Sequence, residues 1–315
     1  MSYSDYSFET KDYKESESKE RFDASIVIPT FNRKLLLDRC LTYLFSQDYP
    51  KDRYEIVVVD DGSSDGTREM VSSKHPPCLL KYLYQEQSGP NRARNLGIRE
   101  AEGGVIVFID SDIFAPPSLL SSHLRIHKVY KNIIVSGPLT RTQNLNEDFK
   151  DIRKRRLRKF FDLSGVSLIT SNLSVRREHL LKIGGFSEEF RGYGWHDWDL
   201  GQRLKGQGLI PRRDINAIAY HYTEEMTDMQ EICKKRRERG ENAILYLKRH
   251  PHFRILLSIN LHFLLYDKLI KHFIEDERFK KRFPRLAKRW LLIHHYANGL
   301  KEGLRRHFKA VSRKD

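Results

Sequence analysis

Apolar positions along this chain fall into short unbroken runs, separated by segments with helical spacing. The first 22 residues lack apolar periodicity and read as a flexible, polar and acidic arm. A strand-type run opens at Ala24-Ser25-Ile26-Val27-Ile28. The next segment sets Leu37, Leu41, Leu44 and Phe45 at i, i+4, i+7 and i+8, one face of a helix. Glu55–Val59, Leu79–Tyr84 and Val105–Ile109 are three more strand runs. Helices are predicted after Ser64-Asp65-Gly66 and over Asn91–Ala101. Strands that alternate with helices and consist of continuous Val/Ile runs predict a parallel sheet covered on both faces. Ligands of such sheets lie beyond the carboxyl ends of the strands. Three polar clusters stand there: Pro29-Thr30-Phe31-Asn32, Asp60-Asp61-Gly62-Ser63 and Asp110-Ser111-Asp112.

Beyond about residue 130 the pattern is mixed. Ile133–Gly137 and Leu168–Val175 read as strands on either side of the basic run Arg153–Lys159, which is a solvated helix face or a lid that meets pyrophosphate. A glycine-rich aromatic loop, Gly184–Gly194, leads into a helix near Trp195–Lys205, and a strand ends at Ala219-Tyr220-His221. From Glu225 onward the chain reads as helices. The expected organisation is an arm (1–22), an α/β domain (23–224, its halves meeting near 130) and a helical extension (225–315).

With 315 residues, 39% of them hydrophobic, the chain can bury a sizeable core, which excludes wholesale disorder. Its formal net charge of +15 predicts a polyanionic partner or surface. Residues 225–315 hold 23 Lys+Arg against 11 Asp+Glu, so most of the excess is on the extension. Cys40, Cys78 and Cys233 are scattered and odd in number, which fits a reducing compartment and no disulfide framework. The most apolar stretch, Ile255–Tyr266, is too short for a bilayer core that needs about 20 residues.

Two carboxylates two positions apart, at the end of a buried strand, can aim oxygens at Mg²⁺ or Mn²⁺; the plain alternative is a pair of solvated helix-capping acids. The cluster at 60–66 carries three acids where a turn and a helix cap need only one.

Taken together, four segments resemble a family 2 glycosyltransferase of the GT-A fold: Ser25-Ile-Val-Ile-Pro-Thr-Phe-Asn-Arg33, Val57-Val-Val-Asp-Asp-Gly-Ser63, Gly89-Pro-Asn-Arg-Ala-Arg-Asn95 and Phe108-Ile-Asp-Ser-Asp112. Further on, the segment from Gly184 to Leu200 is similar to the acceptor side of galactosyltransferase-like members. The resemblance implies a Rossmann-like, mixed but mostly parallel sheet flanked by helices, here with a helical C-terminal extension. It implies a nucleotide-sugar donor, a UDP-sugar first among them, and a divalent cation as cofactor. Pro29, Thr30, Phe31, Arg33, Asp61, Arg94, Asp110 and Ser111 would then meet the donor, with Asp61 at the edge of the base and Arg92 competing with Arg94. Asp112 and His221 would hold the metal.

Asp197, in Trp195-His196-Asp197-Trp198-Asp199, matches the family's general base for an inverting transfer, and a helix N-terminus would keep it ionised. His196 stands where relatives commonly have a glutamate. Tyr193, Trp195 and His196 are candidates for acceptor contact, with Tyr193 and Trp195 equally readable as core aromatics. The acceptor would be a glycan or a lipid-linked saccharide in polysaccharide or envelope synthesis. Basic clusters at Lys234–Arg237 and Lys280–Arg282, interleaved with apolar residues, suit an anionic membrane surface and place the protein in the cytoplasm or at the inner face of the cell membrane. Nucleic-acid signatures are missing, so no nucleic acid is expected. Two other classes stay open at this point: a protein that binds a nucleotide sugar without transferring it, and a basic nucleic-acid-binding protein.

Overall fold

The computed structural model describes residues 20–149, 168–224 and 228–308. The first nineteen residues of the arm and the run Arg153–Lys159 lie outside these. In chain order the elements are β1 (Phe22–Thr30), α1 (Lys34–Phe45), β2 (Tyr54–Asp60), α2 (Thr67–Ser72), β3 (Leu79–Tyr84), α3 (Pro90–Glu100) and β4 (Gly103–Ile109). Then come β5 (Ile113–Phe114), α4 (Leu119–Val129), β6 (Ile133–Ser136), β7 (Leu139–Thr142), β8 (Asn172–Arg176), α5 (Arg177–Lys182), α6 (His196–Gly206), β9 (Ile210–Arg213) and β10 (Ala219–Tyr222). Five helices close the described chain: α7 (Met229–Arg249), α8 (Phe253–Ser258), α9 (Phe263–Glu275), α10 (Glu277–Arg282) and α11 (Pro284–Phe308).

Seven strands form the main sheet in the order β3-β2-β1-β4-β8-β6-β9. All its pairs are parallel except those of β8, which runs antiparallel to both β4 and β6. Alternation within each strand explains the unbroken apolar runs. In β1, Ala24, Ile26 and Ile28 enter one core with α1 and α4, whereas Val27 enters the other with α3, α5 and α6. The same division places Ile56 and Val58 opposite Val57 and Val59 in β2, and Val107 opposite Phe108 in β4. Burying each such side chain contributes about 2 kcal/mol. Helix α3 lies so close to the sheet that a Cβ at Gly97 would stand 2.4 Å from Val27 Cγ1, so only glycine fits there.

Strand β1 begins at Phe22, two residues ahead of the expected run, because it pairs as far back as Phe22 with Gly103. The strand expected over Leu168–Val175 starts only at Asn172. Its leading residues turn inward, Asn172 N–H donating to Ile169 O, and give their side chains to the site described below. Short strands β5, β7 and β9 escape the sequence pattern, since two to four residues show no alternation. Strand β10 joins β5 and β7 in a separate three-stranded sheet.

Ile255–Tyr266 is two helices rather than one apolar run, broken at Asn260, whose φ is +54°. Among the described residues, no helix is long and apolar enough to cross a membrane. Helices α7 and α11 touch backbone to backbone: Cβ atoms at Gly240 and Gly299 would lie 2.2 Å from Tyr296 O and 1.9 Å from Arg237 O. Around that contact Tyr246, Ile255, Ile259, Tyr296 and Leu300 build a third core, which also takes in Phe190 and Trp195 from the α/β part.

Candidate active site

Because β1, β2 and β4 are parallel, their polar ends come to one rim. Asp61 N–H donates to Thr30 O at 2.9 Å, and Asn32, at φ +49°, stitches the two loops by accepting from Ser64 N–H and donating to Ser63 Oγ. Pro29 is half-buried, Phe31 is exposed at the mouth, and Thr30 and Ser111 are enclosed beneath it. The Thr30 hydroxyl has no hydrogen-bond partner there. Asp61 is buried too, accepting from Gln85 Nε2 at 2.6 Å and from the N–H groups of Ser88 and Gly89 at 2.8 and 2.9 Å. A carboxylate has about four acceptor positions, so one is left for an incoming N–H.

Arg94 and Arg92 part company. Arg92 lies on the surface with Glu188, whereas Arg94 is buried and donates from Nη2 to Asp110 Oδ1 at 2.7 Å. Arg94 Nε and Nη1 have no partner. A buried guanidinium with unused N–H groups is ready for an anion.

Strand β10 sets the other acid. Its antiparallel register pairs His221 with Ile113, and Tyr222 N–H donates to Asp112 O at 2.8 Å. His221 Nε2 thereby comes to 3.4 Å from Asp112 Oδ2, which also receives Arg33 Nη1 at 2.5 Å. Burial would raise the Asp112 carboxyl, but His221 and Arg33 outweigh it and hold the group below the ordinary range. The same hydrogen bond raises His221, against its burial. Asp112 Oδ1 is buried without any partner. An orphaned carboxylate oxygen beside an imidazole nitrogen fits a divalent cation. Among the described residues no group of three or more His, Cys, Asp or Glu side chains is placed for a metal, so the remaining ligands would come from phosphate oxygens and water.

Two residues that the sequence reading missed connect the halves. Thr170 Oγ1 donates to Asp197 Oδ1 at 2.7 Å, and the neighbouring Ser171 Oγ donates to Asp110 Oδ2 at 2.5 Å. Because β8 is antiparallel, the end it brings to the rim is its start. Thr170-Ser171-Asn172 ahead of an apolar run is therefore the signal that could have found them. Below, Asn172 accepts from His123 Nε2 at 2.9 Å while its amide donates to Pro138 O and Ala217 O. This fixes the protons of the buried chain: His123 Nδ1 accepts from Ser174, whose Oγ in turn accepts from His127 Nε2. Burial above all, with His123 and Arg176 close by, brings His127 down to about 3.

Asp197 occupies the first turn of α6. Burial would raise it, but His196, Arg94 and the Thr170 hydroxyl bring it down to about 2, so it is ionised at neutral pH. His196 Nε2 is 3.1 Å from Asp197 Oδ1. Tyr193, in the loop ahead of α6, is half exposed. Trp195 packs as a core aromatic. At φ +69° it turns inward, 7% exposed, donates Nε1 to Arg239 O at 2.8 Å and stacks on Tyr246. Helix α7 also frames the loop ahead of α6. Asn242 Nδ2 donates to the carbonyls of Arg191, Tyr193 and Gly194 at 2.9, 3.2 and 3.3 Å. Fully buried Asp199, brought to about 2 against its burial by His250, Arg203 and Arg249, links α6 to the far end of α7. Two residues beyond His221, Thr223 and Glu224 line a cavity of about 930 Å³ with Arg141, Thr142, Gln143, Asn144 and Glu147.

Comparison with known proteins agrees with this architecture. Residues 25–184 match glycosyl transferase family 2, and residues 155–225 match the N-terminal domain of galactosyltransferase. The validoxylamine A glucosyltransferase of Streptomyces hygroscopicus subsp. limoneus is 34% identical over 263 residues, covering 72% of this chain. The chain spans 56% of that relative's length. The chondroitin synthase of Escherichia coli is 28% identical over 235 residues, covering 62% of this chain and 34% of the synthase. Among solved structures, the mannosyltransferase PcManGT of Pyrobaculum calidifontis, in complex with GDP-Man and Mn²⁺, superposes with a TM-score of 0.62 at 17% identity, over 92% of this chain and 89% of its own. Residues 1–349 of S. aureus TarS, in complex with UDP-GlcNAc, superpose with a TM-score of 0.56 at 19% identity, over 89% and 91% of the two chains. With a matched segment that takes in the strand ends carrying Asp61, Asp110 and Asp112 and the helix carrying Arg94, the chain belongs to glycosyl transferase family 2.

Proposed function

We propose that the protein transfers a sugar from a nucleotide sugar, a UDP-sugar foremost, to a hydroxyl of a glycan or lipid-linked saccharide, with inversion at the anomeric carbon. The observation that carries this reading is the pair of bonds from adjacent residues, Thr170 to Asp197 and Ser171 to Asp110, which joins a base candidate to the acids of the donor rim.

Pro29, Thr30 and Phe31 would flank the nucleoside. The remaining acceptor position of Asp61 would take an N–H of the base, and Asp110 with Ser111 would hold the ribose side. Arg94, its Nε and Nη1 without a hydrogen-bond partner, would bind the diphosphate, and Arg33, held on Asp112, would share that charge. Asp112 and His221 would hold Mn²⁺ or Mg²⁺, which supplies positive charge to the departing diphosphate. Tyr193 and His196 would contact the acceptor. Asp197 would take the proton of the acceptor hydroxyl as its oxygen bonds to the anomeric carbon and the bond to the diphosphate breaks on the opposite face. Being ionised already, Asp197 needs no prior deprotonation.

A thermal-shift screen of UDP- and GDP-sugars with and without Mn²⁺ tests the donor and metal together. Stabilisation by a uridine compound only when Mn²⁺ is present is the expected result. No stabilisation by any nucleotide sugar would overturn the reading. Release of UDP on adding a glycan extract separates transfer from binding without turnover.

A further inference from the structure

The inner faces of α8 and α9 pack on the same core: Ile255 and Ile259 are buried in it, and Phe263 and Leu264 rest against it. Their outer faces are apolar too. On α8, Phe253 is 69% and Leu257 is 56% exposed, and on α9 Leu265 is 80% and Leu269 is 58% exposed. Phe253 and Leu257, like Leu265 and Leu269, are four apart and so lie one above the other on a helix surface. The turn at Asn260 lets both helices keep their inner faces on one core, so both crests point away from it.

Charge on this knuckle has one sign. Between Arg249 and Glu275 the sequence holds a single acid, Asp267. That acid is 3% exposed and faces inward, paired with His294 at 2.8 Å and with Lys301. Flanking the crests are the exposed cations Arg254 and Lys268, which have no acidic partner among the described residues, and Lys271, which meets only Glu275. The basic clusters that stand out in the sequence are partly neutralised. Arg237 pairs with Glu302, Lys235 lies 3.6 Å from Glu231, and Lys280 lies 2.6 Å from Glu277.

We infer that the outer face of α8 and α9, with Phe253, Leu257, Leu265 and Leu269 as its apolar crest and Arg254 and Lys268 beside it, seats on an anionic phospholipid surface. An apolar ridge flanked by cations, with Glu275 at the end of α9 as the sole exposed acid of the two helices, has the composition of an interfacial helix pair. A second copy of the chain fits less well, because two-fold pairing sets one patch against itself and would bring these cations together. The surface is remote in sequence from every proposed donor residue, so its test is independent of the transfer reaction.

Sedimentation of the full chain with phosphatidylcholine vesicles, with and without phosphatidylglycerol, is the experiment. The expected result is binding to the phosphatidylglycerol vesicles that weakens as salt rises. Two double variants, Leu265→Ser with Leu269→Ser and Arg254→Glu with Lys268→Glu, should each lose at least about tenfold in partitioning. Both change exposed residues, so unaltered circular dichroism and unaltered stabilisation by nucleotide are expected alongside. Equal binding to neutral vesicles, no binding by the wild type, or variants that partition like the wild type would each overturn the inference. So would a concentration-dependent dimer that Leu265→Ser with Leu269→Ser abolishes, which would give the face to a second copy.

Discussion

Thr170 gives its hydroxyl to Asp197 at 2.7 Å, and that bond fixes the carboxylate of α6 against the start of β8. The acid is held from the side of the sheet that also holds Asp110, which ties the proposed base to the proposed donor rim. Replacing Asp197 with Asn keeps the shape and removes the proton acceptor. Asp197→Asn should retain UDP affinity while transfer falls at least about 100-fold, the lower end for acid–base catalysis. Calorimetry with UDP beside an assay of UDP release checks both halves, and near-normal turnover would remove Asp197 from the mechanism.

Arg94 and Arg92 make a controlled pair. Arg94→Lys keeps a charge near Asp110 but loses the forked donors Nε and Nη1. Donor affinity should fall roughly 10- to 100-fold, the range for charged hydrogen bonds. Arg92→Lys should change affinity less than about threefold, since Arg92 is an exposed partner of Glu188. Titration of both variants with a nucleotide sugar distinguishes them, and equal losses would argue against Arg94 as the diphosphate ligand.

Asn242 satisfies three carbonyls of the loop that presents Tyr193. Asn242→Ala should cost about 1–2 kcal/mol of stability. It should raise the acceptor KM while leaving donor binding unchanged, because among the described residues no hydrogen bond or ion pair joins a proposed donor residue to α7. A loss confined to donor binding would contradict this account.

Buried His127 gives the fold a dependence on mild acid. Its pKa in the folded protein is about 3, against about 6.5 for an unfolded histidine. Between those values the unfolded chain binds the extra proton, so stability rises with pH across the window and is lost as pH falls from about 6.5 toward 3. The slope is about 1.4 kcal/mol per pH unit for one such group. His127→Gln, whose amide can still donate to Ser174, should flatten the loss between pH 6 and pH 4. Denaturant midpoints measured across that range check it, and an unchanged slope would place the titration elsewhere.

The donor half was legible because parallel strands with two buried faces leave a strong signature, and their polar ends lie next to them in sequence. Asp61, Asp110 and Asp112 stood at strand ends before any coordinates. Thr170 and Ser171 were hidden by direction: the strand they precede is antiparallel, so the rule that looks beyond carboxyl ends passes over them. Trp195 was ambiguous for a different reason. Its partners, Arg239 and Tyr246, lie more than forty residues away on a helix whose docking no local pattern reveals. The positive charge of the tail was visible as clusters, yet ion pairs such as Arg237 with Glu302, sixty-five residues apart, arise only in the fold.

Because one amide from α7 gathers three carbonyls of the loop before α6, the terminal helices and the proposed sugar-accepting edge form a single inheritable piece. Chimeras of related enzymes joined at the start of α7 would graft a new frame onto an old loop and lose the match between them. Crossovers placed ahead of Gly184 would carry the loop, its helix and the brace together, and they offer the natural seam for exchanging acceptor preference.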